Sequence, residues 1–254
     1  MTMITEREER IRIGDGEVLF GERPRNYTGI SVDLQRFDGG YSLRVEDETG
    51  EIEPSADLLC TVGKYLWDQG IRERPVTVVS AGSGQEHTVF CSTCGDRVTG
   101  VTVRVGRADF SPRNIPIRFE KPLINDPVSL PGLPPFRLTA LRLHLPYGVV
   151  FLDTAGDCEI LKHGREIAGM SLFSDGAEIL FAYVREEREL HLRASPRDGS
   201  RGLRGDDLCA ALAAAVACGR CLPDTAVSVP LPEGDARAVC TKEWDIFLTM
   251  PILS

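Results

Sequence analysis

Asp57-Leu58-Leu59-Cys60-Thr61-Val62-Gly63 is answered late in the chain by Asp206-Asp207-Leu208-Cys209-Ala210-Ala211-Leu212. In each stretch an acidic residue and a leucine lead into a cysteine just inside what reads as a helix N-terminus, where negative charge complements the helix dipole. A glycine follows each cysteine at one offset, Gly70 (70−60=10) and Gly219 (219−209=10). A β-rich run comes next, Val76-Thr77-Val78-Val79 or Ala226-Val227-Ser228-Val229. The pattern predicts one supersecondary unit used twice, with the cysteines 149 residues apart (209−60=149).

Working outward, Pro54-Ser55 opens the first helix with Ser55 as N-cap, and Leu59, Val62 and Leu66 form its core-facing stripe. Gly70 ends it, and Cys60 lies off the stripe, about a turn from the positive end. The second helix, Asp206 to Cys218, is nearly all Ala, Leu and Val, so other structure must enclose it, as a curved sheet would. Strand patterns occur at Tyr41–Val45, Val76–Val79, Thr88–Cys91, Val98–Val105 and Phe110–Ile117, with turns at Gly82-Ser83-Gly84 and Cys94-Gly95-Asp96. They resume at Leu138–Leu145, Gly148–Leu152, Glu178–Val184, Leu190–Arg193, Val227–Pro230, Ala236–Cys240 and Ile246–Thr249, around a short helix near Cys158–Met170. The proline-rich bridge 127–135 lacks periodicity. The expected organisation is therefore α/β (α+β): two pseudo-symmetric lobes, 1–126 with Cys60 and 136–254 with Cys209, each a curved mixed or antiparallel sheet around a central helix.

A net charge of −9 excludes a phosphate-neutralising face, so no nucleic-acid partner is expected. No leader pattern and no run of about 18 apolar residues occurs, which predicts a soluble, cytoplasmic chain without membrane association. Eight cysteines without a secretion signal read as reduced thiols. Cys91-Ser92-Thr93-Cys94 and Cys218-Gly219-Arg220-Cys221 offer four thiolates for zinc, but their separation favours ordinary packing, and no metal is expected. His87, His144, His163 and His191 lack metal-ligand spacing and carry no assigned role. Arg193, Arg197, Arg201 and Arg204, ahead of the second helix, form either a solvated loop or a bidentate clamp for a carboxylate or phosphate.

These residues carry a resemblance to diaminopimelate epimerase and its relatives, pyridoxal-independent racemases and epimerases with two such lobes. The family places one catalytic cysteine at the head of each central helix, in the patterns MCGNG and ACGTG; here those places hold Leu59-Cys60-Thr61-Val62-Gly63 and Leu208-Cys209-Ala210-Ala211-Leu212. Glu53-Pro54-Ser55 resembles its Asp-Gly-Ser, Val101–Gly106 through Ile115-Pro116 its VxVxMG and IP elements, and Pro146 with Val149-Val150-Phe151 its GNPHxVxF strand. Arg197 is similar to the Arg of its ERG turn, and Val227–Thr249 to its closing hairpin. There are departures too. No HGxGNDF stretch occurs, and Leu145, Glu178 and Pro196 stand where the family has Asn, Asn and Glu.

The resemblance implies a cofactor-independent racemase, epimerase or related isomerase. Inverting a carbon that bears a hydrogen needs a base on one face and an acid on the other, and a thiolate and thiol supply that pair. A helix N-terminus lowers a thiol's pKa from its usual value near 8.5. Cys60 and Cys209 are the expected catalytic pair. The backbone amides of Thr61, Val62, Ala210 and Ala211, with Arg197 and Glu178, are the expected substrate contacts, at an inter-lobe cleft. The substrate is a small carboxylate or amino acid other than diaminopimelate, and a homodimer is left open. The competing expectations are that both cysteines are merely packed side chains, and that the chain is a non-catalytic relative serving as a small-anion or ligand-binding protein, or a scaffold.

Overall fold

A computed structural model describes residues 2–3, 9–13, 16–21, 27–115, 117–129, 131–132, 135–154, 159–174, 176–195, 202–232 and 234–252. Cys158, Pro196, Arg197 and Arg201 lie outside the described residues. The chain divides into two compact units, residues 1–104 with 249–254, and residues 105–248.

In chain order the elements are β1 (Thr2–Met3), β2 (Glu9–Ile13), β3 (Gly16–Phe20), β4 (Ile30–Phe37), β5 (Gly40–Asp47), β6 (Gly50–Glu51), α1 (Ala56–Asp68), β7 (Val76–Ser80), β8 (Glu86–Cys94) and β9 (Arg97–Arg107). They continue with β10 (Asp126–Val128), β11 (Phe136–Arg142), β12 (Pro146–Phe151), a 3-10 turn (Glu159–His163), α2 (Gly164–Ala168), β13 (Glu178–Arg185), β14 (Glu189–Ser195), α3 (Gly205–Ala217), β15 (Val227–Val229), β16 (Ala236–Cys240) and β17 (Asp245–Pro251).

The pairing repeats. In the first unit β2–β3 is antiparallel, β3–β4 parallel, β4–β5 antiparallel, β5–β7 parallel and β7–β8 antiparallel. In the second, β11–β12, β12–β13, β13–β14, β14–β15 and β15–β16 follow the same succession. Parallel neighbours need a crossover connection, and in each unit the long helix supplies it: α1 between β5 and β7, α3 between β14 and β15. The offset separating the cysteines carries α1 onto α3 at both ends (205−56=149; 217−68=149). The duplication read from two short stretches thus extends to the strand order around them.

Ser55 caps α1, its Oγ accepting from the Leu58 N–H at 3.3 Å. Gly70 ends the helix with φ of 84°, a left-handed conformation that glycine adopts without a Cβ clash. Leu59, Val62 and Leu66 are buried, and Phe20 stacks on Tyr65 with ring centroids 4.2 Å apart. The opposite face keeps a polar stripe, where Thr61 Oγ1 donates to the Asp57 carbonyl and Lys64 pairs with Asp68. α3 has no such stripe. It is buried from Gly205 through Ala215 and packs against β11, β12, β13, β14 and β16. A second apolar layer includes Leu138, Ala140, Val150, Ile179 and Phe181 of the strands with Ile167 and Ala168 of α2.

Two expectations differ from the structure. Residues 110–115 hold a turn, and Ile117 makes only an isolated bridge with Phe173, rather than a strand, with the bridge Asp109↔Arg142 just ahead. Pro112 has no amide to donate, and the Ser111 carbonyl accepts from Asn114 and Ile115 in a turn instead. The contact boundary between units lies at Arg104/Val105 and Leu248/Thr249, inside β9 and β17, rather than in the bridge 127–135. The start of that bridge is tied down as β10, which pairs antiparallel with β11 from Asp126↔Leu138 to Val128↔Phe136.

Gly63 lets α1 approach its sheet. A Cβ there would sit 2.5 Å from Val89 Cγ1 and 2.8 Å from Val101 Cγ1. Gly63→Ala is expected to destabilise the protein by about 1–3 kcal/mol, as overpacked cores do. In chemical denaturation the same change should cost less in a Val89→Ala background, where a facing methyl pair is gone. Equal costs in both backgrounds would refute the close approach.

Candidate active site

Each of the two cysteines is the fifth residue of a 13-residue helix that closes a parallel crossover. Cys60 is 3% exposed and its thiol donates to the Val101 carbonyl at 3.7 Å; Cys209 is 0% exposed. The helices begin earlier than the family pattern implies, at Ala56 and Gly205. The amides of Thr61, Val62, Ala210 and Ala211 therefore fall in the second turn, where i→i−4 bonds use them, and they are not free to bind an anion. Only the first-turn amides escape such bonds, and Ser55 already takes Leu58's.

At the head of α3 the strand register gathers several polar residues. Tyr147 pairs with Glu178 across the parallel β12–β13 ladder, and Ile179 with Ser195 across β13–β14. The starts of β12 and β13 and the end of β14 thus share one edge. Arg204, with extended backbone, precedes the helix, and its N–H donates to Asp207 Oδ2 at 2.9 Å. Asp207 is wholly buried, and Asp206 lies with its Oδ1 3.7 Å from His144 Nε2. The head of α3 is thus occupied by two carboxylates of its own. Arg193 lies on β14 near this edge, in register with Phe181, and Glu178 at the start of β13. Leu145, at the family's Asn position, is 44% exposed.

His144 is the residue the sequence reading passed over. Lone histidines in strand-rich segments are usually satisfied or exposed. Only the fold shows that the residue two places before Pro146 meets the first turn of α3.

The remaining thiols separate by environment. Burial pushes Cys221 up to about 11 and Cys240 up to about 12, and raises Cys91 and Cys218 as well. Cys91 and Cys94 both lie on β8, with Cys91 donating to the Gly63 carbonyl at 3.4 Å and Cys94 exposed. Cys218 ends α3, 3.1 Å from Thr139 Oγ1. The two CxxC pairs belong to different units, and among the described residues no cluster of three or more His, Cys, Asp or Glu has a metal-binding arrangement. No helix among the described residues is long and apolar enough to cross a membrane.

No protein-family model matches the chain. It is 30% identical over 175 residues to a diaminopimelate epimerase of Clostridium perfringens, an alignment covering 68% of this chain and 62% of that enzyme. It is 27% identical over 227 residues to a diaminopimelate epimerase of Desulfitobacterium hafniense, covering 88% and 78%. Among solved structures, a hydroxyproline epimerase from Agrobacterium vitis with bound trans-4-hydroxy-L-proline superposes with a TM-score of 0.61 at 12% identity, over 89% of this chain and 74% of that one. Methylitaconate-delta-isomerase superposes at 0.60 and 12% identity, over 97% and 94%. The fold is that shared by these epimerases, racemases and isomerases. The chain is a distant relative of the diaminopimelate epimerases, and it spans less than two thirds of the length of the Clostridium enzyme.

A second buried polar pair lies in the first unit, where Ser80 Oγ is 3.2 Å from His87 Nε2 and His87 is 0% exposed. Its Nδ1 neighbours the Arg104 backbone without a hydrogen bond of ordinary geometry. Burial lowers the imidazole pKa from its usual 6.5; the Arg104 backbone and the Glu53 charge act against that shift and the Arg104 charge with it. Above pH about 6.5 the ring is neutral both folded and unfolded and adds no pH dependence. Below it the unfolded chain takes up a proton that the folded chain refuses, so stability falls, by at most about 1.4 kcal/mol per pH unit. His87→Gln, which keeps a partner for Ser80, is expected to flatten this acid-side slope in urea titrations at pH 7.5, 6.5 and 5.5. An unchanged slope would show that His87 is not the group responsible.

Proposed function

We propose that the protein is a cofactor-independent isomerase that moves a proton on a carbon beside a carboxylate, with Cys60 and Cys209 as its base and acid. One thiolate removes the hydrogen, leaving the electron pair delocalised into the carboxylate. The opposite thiol then gives its proton to the other face, and the two sulfurs exchange protonation states over a turnover. The observation that carries this reading is the equivalence of the two cysteines: same position, same helix length, same crossover in a duplicated strand order. Both thiols are closed to solvent, so turnover also requires an opening step that admits substrate.

The substrate in this reading is a small amino, hydroxy or keto acid other than diaminopimelate. Diaminopimelate carries a second amino-acid end, and Leu145, Glu178 and Pro196 do not reproduce the family's polar set for binding its substrate. Each buried polar group left unpaired costs about 1–3 kcal/mol. Arg197 and Glu178 remain the proposed contacts for the substrate's polar ends. The second reading, a non-catalytic ligand-binding relative, is favoured by the enclosure of both thiols and by those same departures.

Incubation in D2O with pooled L-amino acids and small hydroxy and keto acids, followed by NMR, is expected to show α-deuteration. Cys60→Ala and Cys209→Ala should each lower racemisation at least about 100-fold, the scale of general acid–base catalysis, while one-face exchange persists in one of them. Mild oxidation with peptide mapping should yield a Cys60–Cys209 crosslink, since the mechanism needs both sulfurs at one carbon. Full activity in both variants would refute the mechanism, and efficient turnover of diaminopimelate would refute the substrate class. Absence of exchange with every acid would leave the non-catalytic reading.

A further inference from the structure

A cavity of about 360 Å³ lies in the second unit just past the C-terminal end of α3, within the size range of small-molecule sites. α3 has 13 residues, so at about 1.5 Å per residue this end is about 20 Å from the helix head and from the residues discussed above. The cavity's walls combine apolar and cationic groups. Val150 and Ile160 are buried beneath it, and Phe136, Phe151, Arg137 and Arg220 border it.

Neither guanidinium makes a hydrogen bond or ion pair among the described residues. Asp153 and Thr154 lie on the same wall, yet Asp153 pairs with neither arginine. Arg220 stands with Cζ 4.8 Å from the Phe151 ring centroid, so the ring holds it by a cation–π contact while its in-plane N–H donors stay available. Both arginines also bear on one point. The Cys218 thiol is raised by burial first, and the Thr139 hydrogen bond and the charges of Arg220 and Arg137 oppose that rise. Two like charges on the rim of one cavity leave it electropositive, and an anion bound there would offset both. A carboxylate matches the planar fork of a guanidinium bidentately.

We propose that this cavity is a second binding site, for a small organic carboxylate whose apolar body lies on Phe136, Val150 and Ile160. The carboxylate bridges Arg137 and Arg220, and the hydrocarbon part displaces water from the floor. The site owes nothing to the two cysteines, so it stands or falls independently of the proposed proton transfer.

The test uses the full chain with phenylacetate and 4-methylpentanoate as probes and phenylacetamide as the uncharged control, read by calorimetry and by the side-chain NMR resonance of Arg220. At least one acid is expected to bind saturably, about tenfold or more tighter than the amide, and to shift that resonance. Arg137→Gln and Arg220→Gln should each weaken it about fivefold or more, with melting temperatures near that of the parent because neither guanidinium has a hydrogen bond or ion pair to lose among the described residues and Gln keeps most of the side-chain stem. Amide binding equal to that of the acids, variants that bind like the parent, or no saturable binding of either acid would each overturn the proposal.

Discussion

The second unit is arranged around a helix that has no face for water. α3 carries alanine, leucine and valine around its circumference, and every residue from Gly205 through Ala215 is buried. Burying Leu208 and Leu212 contributes about 1.5–3 kcal/mol each, but only if strands close on all sides. The alanines make that closure feasible, because their short side chains let β11, β12, β13, β14 and β16 approach one cylinder. Strands wrapped this way turn another face outward, and in β11, β12 and β13 that face is apolar too. It is covered by Ile167 and Ala168 of α2 and by Phe173, which is why a 3-10 turn and a short helix interrupt the strand succession. α1 meets the same topological demand differently. It is amphipathic, and it gains its contact from the missing side chain of Gly63 rather than from a run of alanines.

What the sequence disclosed follows this physics. Local rules gave Ser55 as a cap, Gly70 as a stop and Leu59, Val62 and Leu66 as a core stripe, because each depends on a few adjacent residues. The all-apolar composition of α3 was equally readable. The stretch at 110–117 was not, since its apolar alternation says nothing about where an edge partner lies, and Pro112 removes a donor the ladder would need. The unit boundary was hidden for a related reason: prolines at 127–135 look like a linker, while the observed division falls within β9 and β17, strands that share residues between both units. His144 and the Ser80–His87 pair were invisible because their partners are brought to them by register and by packing, not by spacing.

The catalytic reading rests on cysteines that sit deeper in their helices than a head position. A thiol at the fifth residue gains less from the positive end of the dipole than one at the first turn, because the effect falls off within that turn. At α3 the first turn also holds Asp206 and Asp207, whose negative charge opposes thiolate formation nearby. A thiolate there must draw its stabilisation from elsewhere, from a bound ammonium group or from a cationic residue closing over it.

The same requirement gives His144 a chemical setting. Its ring stands 3.7 Å from Asp206, and side chains of both are largely enclosed, at 15% and 11% exposure. A protonated imidazole there would offset part of the carboxylate charge at the helix head, where Asp207 also accepts the Arg204 N–H. The charge at the head of α3 is therefore set jointly by one histidine and two acids. Leu145 and Glu178, standing where the diaminopimelate epimerases have Asn, belong to the same neighbourhood: Leu145 directly follows His144, and Glu178 opens β13.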